Sequence, residues 1–265
     1  MLHIDNIYKT FGIGTINQKT ALNGLSLNLE DGDFVTVIGG NGAGKSTLLN
    51  AISGTWYVDQ GTISIDGIDV TKMAEYKRAA YLGRVFQDPR MGTASNMGID
   101  ENLALAARRG KSRGLISGIT TREREDYKEL LKILDLGLED RITSKVGLLS
   151  GGQRQAVTLL MATLKKPKLL LLDEHTAALD PKTAAKVLSA TDQIIEKDNI
   201  TTIMITHNMK DAIAHGNRLV MMDAGRIILD IKGEEKKKLT VNDLLEKFAV
   251  ASGGELDNDR MMLAK

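Results

Sequence analysis

The residues best suited to chemistry form a glycine-rich segment in the first fifth of the chain. It is a full match to the phosphate-binding loop pattern and reads Gly39-Gly40-Asn41-Gly42-Ala43-Gly44-Lys45-Ser46-Thr47. Glycines allow consecutive backbone N–H groups to curl around a phosphate, and the N-terminus of a following helix adds positive potential. In this pattern we expect Lys45 to neutralise the outer phosphates of a nucleotide and Ser46 to offer a hydroxyl ligand to Mg²⁺.

Two adjacent acidic residues end an apolar run later in the chain. Residues 169–172 are four leucines, and Asp173 and Glu174 follow them. Successive side chains on a strand point to opposite faces, so the two carboxylates separate there. We expect Asp173 to hold the Mg²⁺ shell and Glu174 to orient and deprotonate an attacking water. An acidic strand end alone is a weak signal, but together with the phosphate loop it predicts an ATP or GTP site.

A third segment, Leu149-Ser150-Gly151-Gly152-Gln153, precedes a predicted helix that ends before Pro167. Ser150 and Gln153 have the spacing of a capping box, which accounts for these two residues without any ligand. A cap does not require two glycines in the first turn, where each costs about 0.5–1 kcal/mol relative to alanine. Close approach of an anion to the bare backbone explains the two glycines better.

Buried strands that alternate with amphipathic helices must position these segments. Residues 34–38 form a continuous apolar run directly before the phosphate loop, which is typical of a strand covered on both faces. Similar runs cover residues 168–173, 200–206 and 218–222, and apolar residues at helical spacing lie between them. This alternation predicts a parallel sheet with crossover helices, and therefore an α/β core.

The segments around this core have other patterns. Short alternating segments between residues 2 and 66 predict half-buried strands, whereas residues 88–148 predict an inserted, mostly helical lobe. Basic residues between 108 and 124 in this lobe could face lipid headgroups or an acidic partner, but a solvated loop is the simpler interpretation. After the core we expect a hairpin at 223–225, a solvated charged run at 234–238, a short helix capped by Thr240 and Asp243, and a loosely ordered tail.

Composition limits the class of protein. The 265 residues include 35 basic and 34 acidic side chains, so the net charge of +1 lacks the basic excess that binding nucleic-acid phosphates requires. The absence of cysteine excludes disulfides and a cysteine nucleophile and favours a reducing compartment. The apolar runs are far shorter than the roughly 20 residues of a membrane-spanning helix, so we expect no span.

In this order, the three segments resemble those of ATP-binding-cassette (ABC) ATPases, and segment 149–153 is highly specific to that family. The likeness covers about residues 1–248. It implies an α/β fold with a P-loop NTPase (RecA-like) core, an antiparallel β subdomain and an inserted α-helical subdomain at about 88–165, followed by a flexible tail at 249–265. It also implies that Gln87 senses Mg²⁺ and links the core to the helical lobe, that Asp180 lies in a loop crossing to a second subunit, and that His207 senses the γ-phosphate.

The resemblance further implies which residues contact the nucleotide. Phe11 is the expected aromatic partner of adenine, with Tyr8 as the second choice and simple core packing of Phe11 as the alternative. The other expected nucleotide contacts are Gly39, Gly40, Asn41, Gly42, Ala43, Gly44, Lys45, Ser46, Thr47, Ser150, Gly151, Gly152, Gln153 and Asp180. The expected catalytic residues are Lys45, Gln87, Glu174 and His207, and the expected Mg²⁺ ligands are Ser46, Gln87 and Asp173. Where the family usually has proline, this chain has His175, for which a buried, hydrogen-bonded spacer is the favoured interpretation.

What the resemblance implies of function is an ATPase that powers a membrane transporter. By this resemblance, segment 149–153, the signature, of one subunit would close over the nucleotide of another, so that ATP would hold a homodimer together and hydrolysis would release it. Permease subunits would dock beside Gln87 and hold the chain at the cytoplasmic face of the membrane. Segments 91–102 and 173–185 resemble bacterial uptake systems that use an extracellular binding protein, some of them linked to tryptophan or tyrosine.

Two other functions compete with this interpretation. One is an ABC-type ATPase of a soluble assembly complex, for example iron–sulfur scaffold assembly, which has no permease. A P-loop kinase fits less well, because Glu174 and the signature suit attack by water.

Overall fold

A computed structural model describes residues 1–110 and 118–251 of the chain. Its strands are β1 (Leu2–Phe11), β2 (Lys19–Leu29), β3 (Phe34–Ile38), β4 (Gln60–Ile65), β5 (Ile68–Asp69), β6 (Leu82–Val85), β7 (Leu169–Asp173), β8 (Thr201–Ile205), β9 (Arg218–Asp223) and β10 (Arg226–Lys232). Its α-helices are α1 (Lys45–Ser53), α2 (Glu75–Arg78), α3 (Ile99–Ala107), α4 (Thr121–Lys132), α5 (Gly151–Thr163), α6 (Pro181–Asp198), α7 (Met209–Ala214), α8 (Glu234–Lys237) and α9 (Val241–Ala251).

The larger sheet has six strands in the order β10-β9-β3-β8-β7-β6. Strands β9, β3, β8, β7 and β6 run parallel to one another, and β10 pairs antiparallel with β9 through the predicted hairpin. Every residue of β3 and of β8 is buried, as expected for strands covered on both faces. The prediction of a parallel, crossover-connected α/β core is therefore confirmed.

The smaller sheet has four strands in the order β2-β1-β4-β5 and is antiparallel throughout. Strand β1 lies between β2 and β4, so that Leu2 stands opposite Leu29 on one side and opposite Ile65 on the other. The segments with alternating residues between positions 2 and 66 thus form strands β1, β2 and β4 of the antiparallel β subdomain. The subdomain packs against α1 and one face of the larger sheet in a shared hydrophobic cluster.

Successive side chains of β7 point to opposite faces of the sheet, so the strand contacts a different part of the core on each face. Leu169 and Leu171 pack toward α1 and the smaller sheet, whereas Leu170 and Leu172 pack toward α3, α4, α5 and α6. Burial of each leucine side chain contributes roughly 1.5–3 kcal/mol relative to exposure. The same strand that ends in Asp173 is therefore held rigidly from both sides.

The predicted inserted lobe is helical, with α3, α4, α5 and short 3₁₀ turns between residues 89 and 163. Three of its arginines pair within the chain, Arg108 with Glu123 and Arg124 with Asp100, each at 2.9 Å, and Arg109 with the carbonyl of Lys165 at 2.9 Å, whereas Arg122 is exposed. These contacts leave less positive charge available to bind lipid headgroups or an acidic partner. Lys111 and Arg113 lie outside the described residues.

The charged run 234–238 corrects one expectation, because it is not wholly solvated. Lys236 is only 2% exposed, and its ammonium donates hydrogen bonds to the carbonyls of His215 and Gly216. These carbonyls follow the last turn of α7, so the lysine serves as a helix C-terminal cap. Of the predicted tail 249–265, residues beyond Ala251 lie outside the described part of the chain. The described residues contain no helix long and apolar enough to cross a membrane.

Candidate active site

The phosphate loop connects the buried end of β3 to the first turn of α1. Gly39 has φ +152° and Gly44 has φ +101°, conformations that side chains rarely adopt. A Cβ atom at Gly39 would lie 2.2 Å from the carbonyl oxygen of Met222, and one at Gly44 would lie 2.4 Å from that of Ala21. Glycine is therefore required at both positions by the close approach of neighbouring strands.

Lys45 is the first residue of α1, and its side chain turns back over the loop. Its ammonium donates to the carbonyls of Gly39 at 2.8 Å and Gly40 at 3.0 Å. The residue is 5% exposed. These contacts place a cation and the positive end of the α1 dipole on the same side of the loop, which suits a polyphosphate.

Glu174 and His207 meet where the neighbouring strands β7 and β8 end. In the parallel register Asp173 stands opposite Ile205, so the next residues of both strands emerge together. The Oε1 atom of Glu174 lies 2.6 Å from Nε2 of His207. Glu174 has φ +46°, a left-handed conformation that costs a non-glycine residue on the order of 1 kcal/mol.

Asp173 is less exposed than a carboxylate normally is, and it has a basic neighbour. Burial raises the pKa of its carboxyl, while the Arg84 guanidinium, 3.8 Å away, acts in the opposite direction. Arg84 also donates to Asn50 on α1 at 2.7 Å and stacks on the ring of Phe86. A single side chain of β6 thus joins the acid of β7 to the helix that follows the phosphate loop.

His175 occupies a fully enclosed position directly after Glu174. It is 2% exposed, and its Nε2 atom lies 3.3 Å from the hydroxyl oxygen of Thr191 on α6. That hydroxyl already donates to the carbonyl of Val187, so the imidazole is the donor. Burial, assisted by the nearby His215, lowers the pKa of His175 to about 4. The imidazole is therefore neutral at pH 7, as a hydrogen-bonded spacer should be.

A cleft of about 260 Å³ brings several of the predicted residues together. Phe11 lies at its wall, together with the phosphate loop, Glu174 and His207. The full lining is Phe11, Lys19, Ala21, Asn41, Gly42, Ala43, Gly44, Lys45, Ser46, Thr47, Glu174 and His207. The cleft has an aromatic side chain, a loop of backbone N–H groups, a cation and an acid–imidazole pair, which are the groups that a nucleoside triphosphate and its attacking water require.

The predicted signature is not part of this lining. Ser150 and Gln153 form the expected capping box, in which the Gln153 N–H donates to Oγ of Ser150 and the Ser150 N–H donates to Oε1 of Gln153, both at 3.2 Å. Asp180 likewise caps α6, where Oδ1 accepts from the N–H of Thr183 at 3.0 Å. Ser150, Gly151 and Asp180 are exposed at the surface and away from the cleft of the same chain.

The two glycines of the signature have different structural settings. A Cβ atom at Gly151 would meet nothing within 4 Å, whereas one at Gly152 would lie 2.1 Å from Cγ2 of Thr183. The interpretation that anion approach explains both glycines is therefore incomplete. Close packing of α5 on the start of α6 accounts for Gly152, whereas Gly151 has open space beside it.

Gln87 follows β6 and lies at the surface, outside the cleft lining. The carbonyl of the preceding residue, Phe86, accepts a hydrogen bond from Nε2 of Gln155 at 3.0 Å. Gln155 belongs to α5, the helix that begins with the signature. The segment carrying Gln87 is thus attached directly to the signature helix.

The roles of three residues in this region were not predicted from the sequence. Arg84 and Lys19 have no local pattern that marks them, because their roles depend on β6 and β2 lying beside the phosphate loop. Trp56 offered a weak signal as the sole tryptophan of the chain. It packs edge-to-face on Phe11, with ring centroids 5.4 Å apart.

Comparisons with known proteins agree with this geometry. Residues 22–177 match the family model described as ABC transporter. The chain is 47% identical to the tyrosine transport ATP-binding protein of Clostridioides difficile (strain R20291), over 95% of this chain and 100% of that protein. It is 37% identical to the methionine import ATP-binding protein MetN of Rhizobium etli, over 78% of this chain and 56% of that protein.

Solved structures share the same fold. The dimeric, post-hydrolysis structure of the ATP-binding cassette MJ0796 bound to ADP and Pi superposes with a TM-score of 0.75 at 31% identity, and the match covers 88% of this chain and 98% of that one. The ADP conformation of the cassette MJ1267 also has a TM-score of 0.75, at 28% identity over 94% of this chain and 98% of that one.

Proposed function

Because the chain belongs to the ABC transporter family and is the transporter subunit that hydrolyses ATP, we propose that it powers the uptake of an aromatic amino acid, with tyrosine as the first candidate. The observation that carries the site assignment is the cleft, where Phe11, the phosphate loop and the Glu174–His207 pair line one space. The 47% identity to a tyrosine transport ATP-binding protein supports the solute class. The named relatives act in transport, so nothing favours the alternative of a soluble assembly complex.

We propose a separate chemical role for each of the groups that line the cleft. Adenine stacks on Phe11, and the phosphates lie on the N–H groups of residues 39–47 with Lys45 beside the outer ones. Glu174 accepts the proton of the attacking water, because its carboxylate lines the same cleft as the phosphate loop. His207 donates to Glu174 here, and it donates to the γ-phosphate instead when ATP is bound.

Mg²⁺ fits this set of oxygen donors. The described residues contain no group of three or more acidic, histidine or cysteine side chains that could hold a metal by themselves. Mg²⁺ commonly takes one or two protein ligands and completes its shell with substrate phosphates and water. We propose Ser46 and Asp173 as those ligands, with Gln87 joining them when its segment moves inward. When bound, Mg²⁺ would neutralise charge on the β- and γ-phosphates.

The signature residues point to a second copy of the chain. Ser150, Gly151, Gly152, Gln153 and Asp180 lie outside the cleft of their own chain, and the N-terminus of α5 has the free N–H groups that bind anions. We propose that they complete the cleft of a partner copy in a homodimer. One helix N-terminus contributes only about 0.3–1 kcal/mol toward a charge, so several donors must act together on the γ-phosphate.

Loss of the γ-phosphate then reopens the dimer. ADP lacks the group that the signature contacts, so hydrolysis removes the difference in affinity that favours the closed state. We propose that residues 1–248 form the cassette, with the helical subdomain at about 88–165, and that integral-membrane permease subunits dock beside Gln87. The chain would thus lie at the cytoplasmic face of the membrane, and an extracellular binding protein would deliver the solute to the permease.

Affinity purification from native membranes tests this proposal. We expect an integral-membrane protein to copurify in stoichiometric amount. Reconstituted in proteoliposomes with its binding protein, the complex should show ATPase activity that rises several-fold with tyrosine and not with methionine. Recovery without any membrane partner would contradict the transporter proposal, and stimulation by methionine alone would contradict the solute.

A further inference from the structure

Trp56 lies in segment 54–59, which connects α1 to β4, and it stands beside the proposed adenine platform, Phe11. Its ring and that of Phe11 are 5.4 Å apart between centroids, with an angle of 80° between planes. Trp56 is 44% exposed, so burial in the core does not explain its position. An edge-to-face pair of this kind stabilises one orientation of a partly exposed ring.

The segment that carries Trp56 is itself attached to the strand that carries Phe11. The Oδ1 atom of Asp59 accepts from the Lys9 ammonium at 2.8 Å, and Oδ2 accepts from the N–H of Thr10 at 2.6 Å. The N–H of Asp59 in turn donates to the carbonyl of Tyr8 at 2.8 Å. Residues 8–10 are thus held by the same short segment that brings the indole to Phe11.

The other end of the segment is attached to the phosphate-loop helix. The N–H of Trp56 donates to the carbonyl of Asn50, at the C-terminal end of α1, at 3.2 Å. Contacts therefore run without a break from α1 through Trp56 to the end of β1. They connect Phe11 to the helix that follows the phosphate loop. A base-stacking ring has to stand at a defined distance from the phosphates, and this arrangement sets that distance.

We propose that Trp56 is a positioning residue for adenine: it fixes the plane of the Phe11 ring so that the ring is ready to stack on the base. The inference rests on the proposed role of Phe11. Such a pair can account for about a 2- to 12-fold gain in affinity, because its coupling is modest. The gain appears in binding of the base and not in the chemical step.

ATP binding and turnover of the full chain test this role. Trp56→Ala should raise Kd and KM for ATP about 2- to 12-fold and leave kcat within twofold of the wild type. Trp56→Phe should restore most of the affinity, because a phenyl ring can keep the edge-to-face contact. Tyr57→Ala is the matched control, since Tyr57 is adjacent and 49% exposed, and it should leave the affinity unchanged.

Two further measurements separate positioning from damage to the fold. Tripolyphosphate has no base, so its affinity should not change in Trp56→Ala; an equal loss for tripolyphosphate would show that α1 or the loop has moved and would overturn the inference. In a Phe11→Ala background, Trp56→Ala should have no further effect on ATP binding. A full additional loss there would also overturn it.

Failure of the inference can be distinguished from failure of the proposed function. If Phe11→Ala weakens ATP binding and Trp56→Ala does not, only the positioning role is wrong. If Phe11→Ala leaves ATP affinity unchanged, the adenine platform itself is wrong and the role of Trp56 falls with it.

Discussion

The Nε2 atom of His207 lies 2.6 Å from the Oε1 atom of Glu174, at the point where two adjacent parallel strands end. The side chain of Glu174 is only 10% exposed, whereas that of His207 is 39% exposed. A hydrogen bond between them fixes the carboxylate, and both side chains line the cleft. This contact is compatible with the proposed roles, in which Glu174 acts on water and His207 contacts phosphate.

Removal of the imidazole should reduce the chemical step more than binding. We expect His207→Ala to lower kcat at least 100-fold, within the range typical of a positioned acid–base group, with the Kd for ATP changed less than about threefold. Steady-state ATPase assays and calorimetry measure the two effects. His215→Ala is the control, because His215 pairs with Asp192 and does not line the cleft. Wild-type turnover in His207→Ala would contradict the assignment.

Removal of the loop lysine should affect binding itself. Lys45→Ala deletes a cation that lies directly over the phosphate loop, so we expect at least a tenfold rise in the Kd for ATP, which corresponds to about 1.4 kcal/mol. Lys19→Ala should cause a smaller loss, because Lys19 stands at the exposed rim of the cleft. Equal ATP affinity in Lys45→Ala and the wild type would refute the role of the loop.

The two signature glycines should respond differently to alanine. In Gly152→Ala the new Cβ would overlap Cγ2 of Thr183, and overpacking of this kind costs about 1–3 kcal/mol of unfolding free energy. In Gly151→Ala the side chain has open space, and helix propensity adds up to about 1 kcal/mol of stability. The double variant Gly152→Ala/Thr183→Ser lacks the Cγ2 atom, so it should recover unfolding free energy relative to Gly152→Ala, as measured by denaturant unfolding. Gly152→Ala as stable as Gly151→Ala would be inconsistent with the packing account.

The buried lysine at position 236 predicts a dependence of stability on pH. Burial lowers its pKa to about 8, although Asp192 acts in the opposite direction, whereas an unfolded lysine titrates near 10.4. Between these pH values the unfolded chain binds more protons than the folded one, so the free energy of unfolding rises with pH. The contribution is roughly 3 kcal/mol and is complete above about pH 10.4.

Urea unfolding between pH 7.5 and 10.5 measures this effect. Lys236→Met should lack most of the rise, and Lys238→Met, which removes an exposed lysine of the same segment, should retain it. If Lys236→Met gains as much stability with pH as the wild type, the buried ammonium is not its source.

Local patterns predicted those parts of the molecule whose causes are local. The loop 39–47 needs glycines at positions that the backbone itself determines, and the capping pair Ser150 and Gln153 lies within one turn. The buried strands β3, β7 and β8 are mostly apolar runs of five residues, which is typical of strands covered on both faces. Fold class followed from these elements.

The features that were not predicted depend on contacts between distant residues. Strand β6 has four residues and includes Gly83 and Arg84, so it forms only because β7 pairs with it. Lys236 sits in a run of charged residues, and only the carbonyls of residues 215 and 216 explain its burial. The approach of Trp56 to Phe11 joins positions 45 residues apart. No pattern in a short window contains such pairings.

The central claim is that ATP is held between two copies of the chain, with the phosphate loop of one facing the signature of the other. Glu174→Gln should bind ATP without hydrolysing it, because the amide cannot accept the proton of the water. Light scattering of this variant with saturating Mg-ATP should give twice the mass of one chain, and the mass of a single chain with ADP. Adding Ser150→Arg should return the ATP-bound variant to single chains. Single chains of Glu174→Gln at saturating Mg-ATP would contradict the account.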